Sequence, residues 1–305
     1  MESHFNLRNY FAVLVCLAVL GTVWNSSAFA DCELAKLLAS DGAQDDWFGY
    51  SVSVSGDTTV IGAYRDDDNG SDSGLAYIFR FNGSNWVQEA KLLASDGAAN
   101  DYFGISVGIS GDTAVIGASN GSAYIFRFNG SSWVQESKLL ASDGALGQSV
   151  GISGDAAVIG ASNGSAYIFR FNGSSWVQES KLLASDGALG QSVGISGDAA
   201  VIGASGDDDN GEYSGSAYIF RFNGSNWIEE AKLLASDGAA HDSFGISVGI
   251  WGDTAVIGAV GDDDNGNDSG SSYIFRFNGS SWVQEAKLLA SDGAEDDYFG
   301  WSVGI

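Results

Sequence analysis

The stretch Asp101-Tyr102-Phe103-Gly104-Ile105-Ser106-Val107-Gly108-Ile109-Ser110-Gly111-Asp112-Thr113-Ala114-Val115-Ile116-Gly117-Ala118 returns, with changes, from Phe48, Leu146, Leu189 and Phe244, and begins again at Phe299. In its first half Phe103, Ile105, Val107 and Ile109 alternate with Gly104, Ser106, Gly108 and Ser110. Period-two alternation is a strand signal. An ordinary surface strand sets apolar against charged residues; here the second face is merely small, so a neighbour must pack closely on that side too. Strands buried bulky side against small side need copies of themselves for neighbours, which means a solenoid or a propeller.

The lysine of Lys-Leu-Leu-Ala-Ser-Asp-Gly-Ala stands at 36, 91, 138, 181, 232 and 287, so the repeats are 43 to 55 residues long. Each unit holds four strand-like runs. In the first, Phe48–Ser55 meets a tight Ser55-Gly56-Asp57 turn and Thr58–Ala63 follows. A loop of variable length leads to Leu75–Phe81, with Tyr77, Phe79 and Phe81 on one face, and an Asn82-Gly83 turn leads to Trp86–Ala94. Asn-Gly between two strand patterns is a strong hairpin signal. Four strands in a unit of this size make a propeller blade rather than one turn of a solenoid. The expected fold is therefore an all-β propeller of four-stranded blades, with five full blades. A lone fourth strand, Leu34–Ser40, precedes them, and a lone first strand, Tyr298–Ile305, follows. Stopping in mid-pattern at Ile305 reads as a C-terminally truncated fragment, with an open arc as the alternative. Residues 119–161 and 162–204 are identical, the mark of a recent duplication or of an assembly error.

Residues 1–30 read as a secretory signal: Arg8, an apolar run from Tyr10 to Val23, then Ala28-Phe29-Ala30 as a small-x-small cleavage pattern. Cleavage there leaves residues 31–305 as the repeat domain, secreted, extracellular or held at the cell surface, with no membrane insertion; an uncleaved anchor is the alternative. Cys32 is then the only mature cysteine, so no intrachain disulfide can form. The formal net charge of −26 argues against nucleic acid and anionic membranes as partners. Apart from Arg8 and Arg65, every cation occupies one of two repeat slots: that lysine, or the arginine of Tyr-Ile-Phe-Arg-Phe at 80, 127, 170, 221 and 276. These cations belong to the architecture and do not form a basic patch.

Phe103-Gly104 followed by Gly117-Ala118 resembles the FG-GAP repeat, whose fold is the seven-bladed propeller of integrin α-subunit heads. Phe48-Gly49 with Gly62-Ala63, Phe244-Gly245 with Gly258-Ala259, and Phe299-Gly300 match in the same way. The resemblance covers nearly all of 33–305 and implies truncation from seven blades. It departs in two respects. The proline of Gly-Ala-Pro is replaced by Tyr64, Ser119, Ser162, Ser205 or Val260, and two units carry Leu-Gly for Phe-Gly. The calcium loop that the family places between strands one and two is also reduced to Ser-Gly-Asp, which has too few oxygens for the ion.

Acid gathers instead between strands two and three, in the runs 66–72, 207–212 and 262–268. Asp66, Asp68, Asn69, Asp72, Asp207, Asp209, Asn210, Asp262, Asp264, Asn265 and Asp268 are the candidate metal ligands, because Ca²⁺ takes six to eight oxygens and an Asp/Asn run with a glycine bend supplies several. The loops from strand four to the next strand one leave from the same end, bringing Asp41, Asp45, Asp46, Asp237 and Asp242. Mutual repulsion on such a rim is what bound Ca²⁺ is expected to relieve. A solvated Asp/Asn/Gly turn is the alternative. Residues 119–122 and 162–165 offer only Ser-Asn-Gly-Ser there.

Trp86, Trp133, Trp176, Trp227 and Trp282 recur too regularly for a sugar platform and are read as packing. Asn-Gly-Ser at 82, 129, 172, 223 and 278 matches the glycosylation sequon, though the hairpin turn explains it. No catalytic constellation appears: His241 is the only mature histidine, and the carboxylates lie on loops taken to be exposed, where nothing raises a pKa. The protein is thus expected to be no enzyme but an exported binding or adhesion scaffold, its partner an extracellular protein or glycan met on the acidic rim. The alternatives are a structural spacer without a ligand, or the propeller of a larger carbohydrate-active or surface enzyme.

Overall fold

The computed structural model describes residues 35–143, 146–186 and 189–305; the signal-like segment and Cys32 lie outside them. Alternation and turn chemistry place the strands where the residues predict. In blade 1, β1 is Phe48–Ser55, β2 Thr58–Ala63, β3 Leu75–Phe81 and β4 Trp86–Leu92. They form an antiparallel sheet in the order β1-β2-β3-β4, and four further sheets repeat that order within 106–139, 146–182, 193–233 and 247–288. The fold is all-β, with five four-stranded blades. Their first strands stand side by side around a channel of about 480 Å³, lined by Val and Ile from every blade together with Val303 and Ile305.

Blade packing follows the bulky-to-small rule. Val107 and Ile109 are buried against Val60, Ala76 and Ile78 of blade 1. On the opposite side, a Cβ on Gly108 would already touch the Ile152 side chain of blade 3. In the third strands, Tyr124 and Phe126 look back to blade 1, while Ala123 and Ile125 look forward to blade 3. Burying one such aromatic ring stabilises by about 1.5–3 kcal/mol, and each interface repeats it.

Besides the register shift that leaves Glu89 without a ladder partner opposite Ile78 and Phe79, the alternation fails in the first strand. Phe48 pairs with Ala63 but the next paired residue is Ser51, opposite Gly62, so a bulge interrupts the ladder. The corresponding Gly104 has φ +89°, which turns the chain and takes Ile105 out of the apolar stripe, leaving it only half-buried. A bulge adds a residue without a partner and so breaks the two-residue period.

The flanking segments occupy the expected places without forming strands. Leu37 is buried on blade 1 beside Tyr77 and Phe79, as Leu92 is on blade 2, but residues 35–40 carry no ladder. Ile305 packs on Gly249, and Phe299 makes a single bridge to Gly270. Side-chain packing places both segments, but among the described residues no neighbouring strand offers either one a ladder.

Candidate functional site: an acidic rim centred on lysines

Neighbouring blades are joined by three devices, each repeated, which together position the rim. The first lies at the Phe-Gly and Gly-Ala halves of the repeat. Ser51 Oγ donates to the Gly104 carbonyl of the next blade at 2.8 Å, and Ser106, Ser149, Ser192 and Ser247 do the same to Gly147, Gly190, Gly245 and Gly300. The glycine of Gly-Ala lies directly against that carbonyl: a Cβ on Gly62 would fall 2.0 Å from Gly104 O, and on Gly203 1.9 Å from Gly245 O. Leu146 and Leu189 fill the position of Phe103 and are equally buried.

The second device is on the outer edge. Arg80 pairs with Glu89 of its own blade, stacks over Phe128 of the next, and the Glu89 carboxylate accepts from Trp133 Nε1 at 3.1 Å. Trp176, Trp227 and Trp282 donate likewise to Glu136, Glu179 and Glu230. The recurrent tryptophan is therefore an inter-blade fastener as well as a filler. Below it the hairpin turn spans 82–85 rather than two residues. Asn82 Oδ1 accepts from the Ser84 and Asn85 N–H groups, an Asx turn that the Asn-Gly pair alone did not specify.

The third device makes the rim. In every blade the lysine of strand four pairs with the aspartate of the preceding Ser-Asp-Gly loop: Lys91 with Asp41, Lys138 with Asp96, Lys181 with Asp143, Lys232 with Asp186, and Lys287 with Asp237. In the three blades with a long acidic loop, the same ammonium also takes the acid of that loop. Lys287 Nζ lies 2.7 Å from both Asp262 and Asp264. Lys232 lies 2.9 Å from Asp207 and in contact with Asp209. Lys91 reaches Asp68, while Asp66 takes a longer contact of 3.4 Å from the Tyr77 hydroxyl.

The candidate metal ligands thus divide. Asp66, Asp68, Asp207, Asp209, Asp262 and Asp264 line the lysine and the tyrosine beside it. Asn69 and Asn265 turn their amides onto Gly97 O and Ala290 O, and Asn210 lies over Gly238 in the same way. Asp72 and Asp268 close their loops, donating a backbone N–H to Asp67 and Asp263. Among the described residues no three His, Cys, Asp or Glu side chains are arranged to hold a metal ion. The repulsion that calcium was expected to relieve is met in part by an ammonium from strand four. In the short-loop blades Asn120 and Asn163 donate to Tyr124 and Tyr167, so a neutral amide replaces the acid.

Burial also differs from the expectation that the acids are exposed. Asp66 and Asp262 are buried because each run folds back and its leading carboxylate serves the loop or the neighbouring strand, and Asp242, in the loop from strand four to the next strand one, is buried where it accepts from the Ala239 N–H. Burial pushes the Asp66 carboxyl upward. Lys287, Ser271 and Tyr273 outweigh the burial of Asp262 and hold it below the usual range. Burial pushes Asp242 up to about 6, the Asp262 charge adding to the rise while the Ala239 N–H opposes it. An acid raised from about 3.9 in the unfolded chain favours the folded state most when protonated, so its contribution falls as pH rises from about 4 to 6. The carboxylates held low, Asp237 and Asp262, act in the opposite sense and lose their contribution as pH falls. Asp242→Asn, whose amide oxygen can still accept from Ala239, should stabilise by on the order of 2 kcal/mol at pH 7 and not at pH 4. Urea denaturation at both values measures this; an equal effect at both would contradict the assignment.

The inter-blade contact of Phe-Gly with Gly-Ala gives both halves of the motif a structural role. The FG-GAP repeat model matches residues 32–79, 86–126, 133–169, 176–220, 227–275 and 282–305. The chain belongs to the FG-GAP repeat family. No curated protein matches the chain as a relative. Within this FG-GAP chain the missing proline has a structural counterpart: Tyr64, Ser119, Ser205 and their equivalents open loops of two lengths, long in blades 1, 4 and 5 and short in blades 2 and 3. Among the described residues no helix is long and apolar enough to cross a membrane.

Proposed function

We propose that this FG-GAP protein is an exported binding scaffold that meets an extracellular protein or glycan on its acidic rim. One observation carries the reading: the blades keep the same ladder register between strands two and three while the loops joining those strands differ, long and acidic in three blades, three residues in two. Variation confined to one end of a rigid frame is where recognition is carried. The net charge of −26 favours partners with cationic surfaces. Near-identical rim units also suit repeated, avidity-driven contacts. Calcium enters this reading only as a competitor of the lysines.

The test is a panel of extracellular proteins and glycans, probed with the wild type and with a variant whose 205–215 and 260–270 loops are cut to Ser-Asn-Gly, the loop that precedes Ser122 and Ser165. Those short loops already close blades 2 and 3, so the variant should fold. A ligand bound by the wild type and lost on cutting supports the proposal. A panel in which no ligand is lost on cutting overturns it and leaves the spacer reading.

A further inference from the structure

We propose that blade 1 carries a second binding site on the same rim, for a sugar ring bearing one carboxylate. Four aromatic side chains meet there in a continuous patch. Tyr64 stands 4.5 Å from Tyr50, 5.8 Å from Trp47 and 5.9 Å from Tyr102, ring centre to ring centre. Trp47 is 37% exposed and Tyr50 52%.

The repeat itself provides the control for what folding requires. At the position of Tyr50 the other blades carry Ile105, Gln148, Gln191 and Ile246. At Tyr64 they carry serine or valine, and at Arg65 asparagine or glycine. The ladders between strands two and three keep the same register in all five blades. The frame therefore forms without these three side chains, and their appearance together in one blade is not explained by folding.

Arg65 supplies the second observation. Arg80, Arg127, Arg170, Arg221 and Arg276 each pair with a glutamate, whereas Arg65, among the described residues, has no carboxylate in ion-pair contact. It is exposed, with its guanidinium 5.5 Å from the ring centres of both Trp47 and Tyr64. The Tyr64 hydroxyl and the Asp72 charge also lie within reach of this guanidinium, and the donors they leave can offer a carboxylate two parallel bonds. The exposed Tyr50 ring, packed on Tyr64, suits the C–H face of a pyranose. One guanidinium in a chain of charge −26 selects a single carboxylate over a polyanion, which the surrounding field repels.

An oligosaccharide ending in glucuronate is the probe, and its glucose-ended counterpart the control, titrated calorimetrically into the full chain. Saturable binding about tenfold tighter for the glucuronate end is expected. Arg65→Gln should abolish that preference. The triple variant Tyr50→Gln, Tyr64→Ser, Arg65→Asn, which copies blade 3, should lose binding at least about tenfold with an unchanged melting temperature. No saturation, equal affinity for both ends, or full binding by the triple variant would each overturn the proposal, as would preference for a carboxylate-bearing peptide. The protein with the 205–215 and 260–270 loops cut should bind the glucuronate probe unchanged, so this site and the acidic-loop reading can fail separately.

Discussion

Gly203→Ala is expected to cost about 3 kcal/mol or more, the upper end of what overpacking does. Its Cβ would stand 1.9 Å from Gly245 O and 2.3 Å from Ser192 Oγ, both closer than any such contact can be. Neither neighbour can move cheaply. Gly245 O belongs to the backbone of the next blade, and Ser192 Oγ is held there by its own 2.8 Å bond to that oxygen. Relief requires blades 4 and 5 to part, which also uncovers Val248 and Ile250. Loss of the serine bond adds about 1 kcal/mol. Gly224→Ala is the control: it sits in a hairpin turn with φ +94° and nothing within contact of a new Cβ, so it tests backbone strain alone. Urea denaturation should rank Gly203→Ala well below Gly224→Ala. Equal effects would mean that the Phe-Gly and Gly-Ala halves do not determine how blades approach.

Lys232→Met should destabilise by roughly 3 kcal/mol, between the cost of breaking a surface pair and that of breaking a buried one. The substitution keeps most of the apolar stem, which runs past Tyr218, and removes the charge that Asp186, Asp207 and Asp209 share. Asp207 is the most enclosed of the three and is held below its usual range by Ser216, Lys232 and Tyr218 against its burial. With the lysine gone, its contribution above about pH 4 shrinks, so the variant should be hurt more at pH 7 than at pH 4. Three carboxylates are then left without the cation they shared, a charge that a divalent ion can supply in its place. Calcium should therefore raise the melting temperature of Lys232→Met. An unaltered variant, or one equally weakened at both pH values, would show that the lysine is a bystander.

Most of the frame was legible because the repeat states it many times. Strand limits such as Thr58–Ala63 and Leu75–Phe81 follow from alternation ended by Ser-Gly-Asp, Asn-Gly and the acidic loops. The bulge at Gly49 and Gly104 was not, since positive φ in a glycine leaves no mark in a hydrophobic pattern; Ile105 looked like core and is not. The four-residue Asx turn at Asn82 was hidden for a similar reason, its bonds being made by a side chain that also suits a two-residue turn.

The rim was read correctly in location and incompletely in chemistry. Asp41 and Lys91 are 50 residues apart, and no local spacing rule joins them. A signal did exist: one lysine and one Ser-Asp-Gly aspartate per repeat, at fixed positions, in a chain with few other cations. Equal numbers of opposite charges in fixed slots are a pairing pattern, and blade stacking brings one slot to the other. Burial of Asp242 and Asp262 could not be seen, because loop sequences rich in acid look solvated until the fold closes over them.

Thermal unfolding of the wild-type chain in EDTA, and again in saturating Ca²⁺ at the same ionic strength, bears most directly on whether this rim carries its own counter-ions. The lysine-centred account predicts superimposable curves, since Lys91, Lys232 and Lys287 already stand among the carboxylates that the ion would need. A melting temperature several degrees higher in calcium would contradict it.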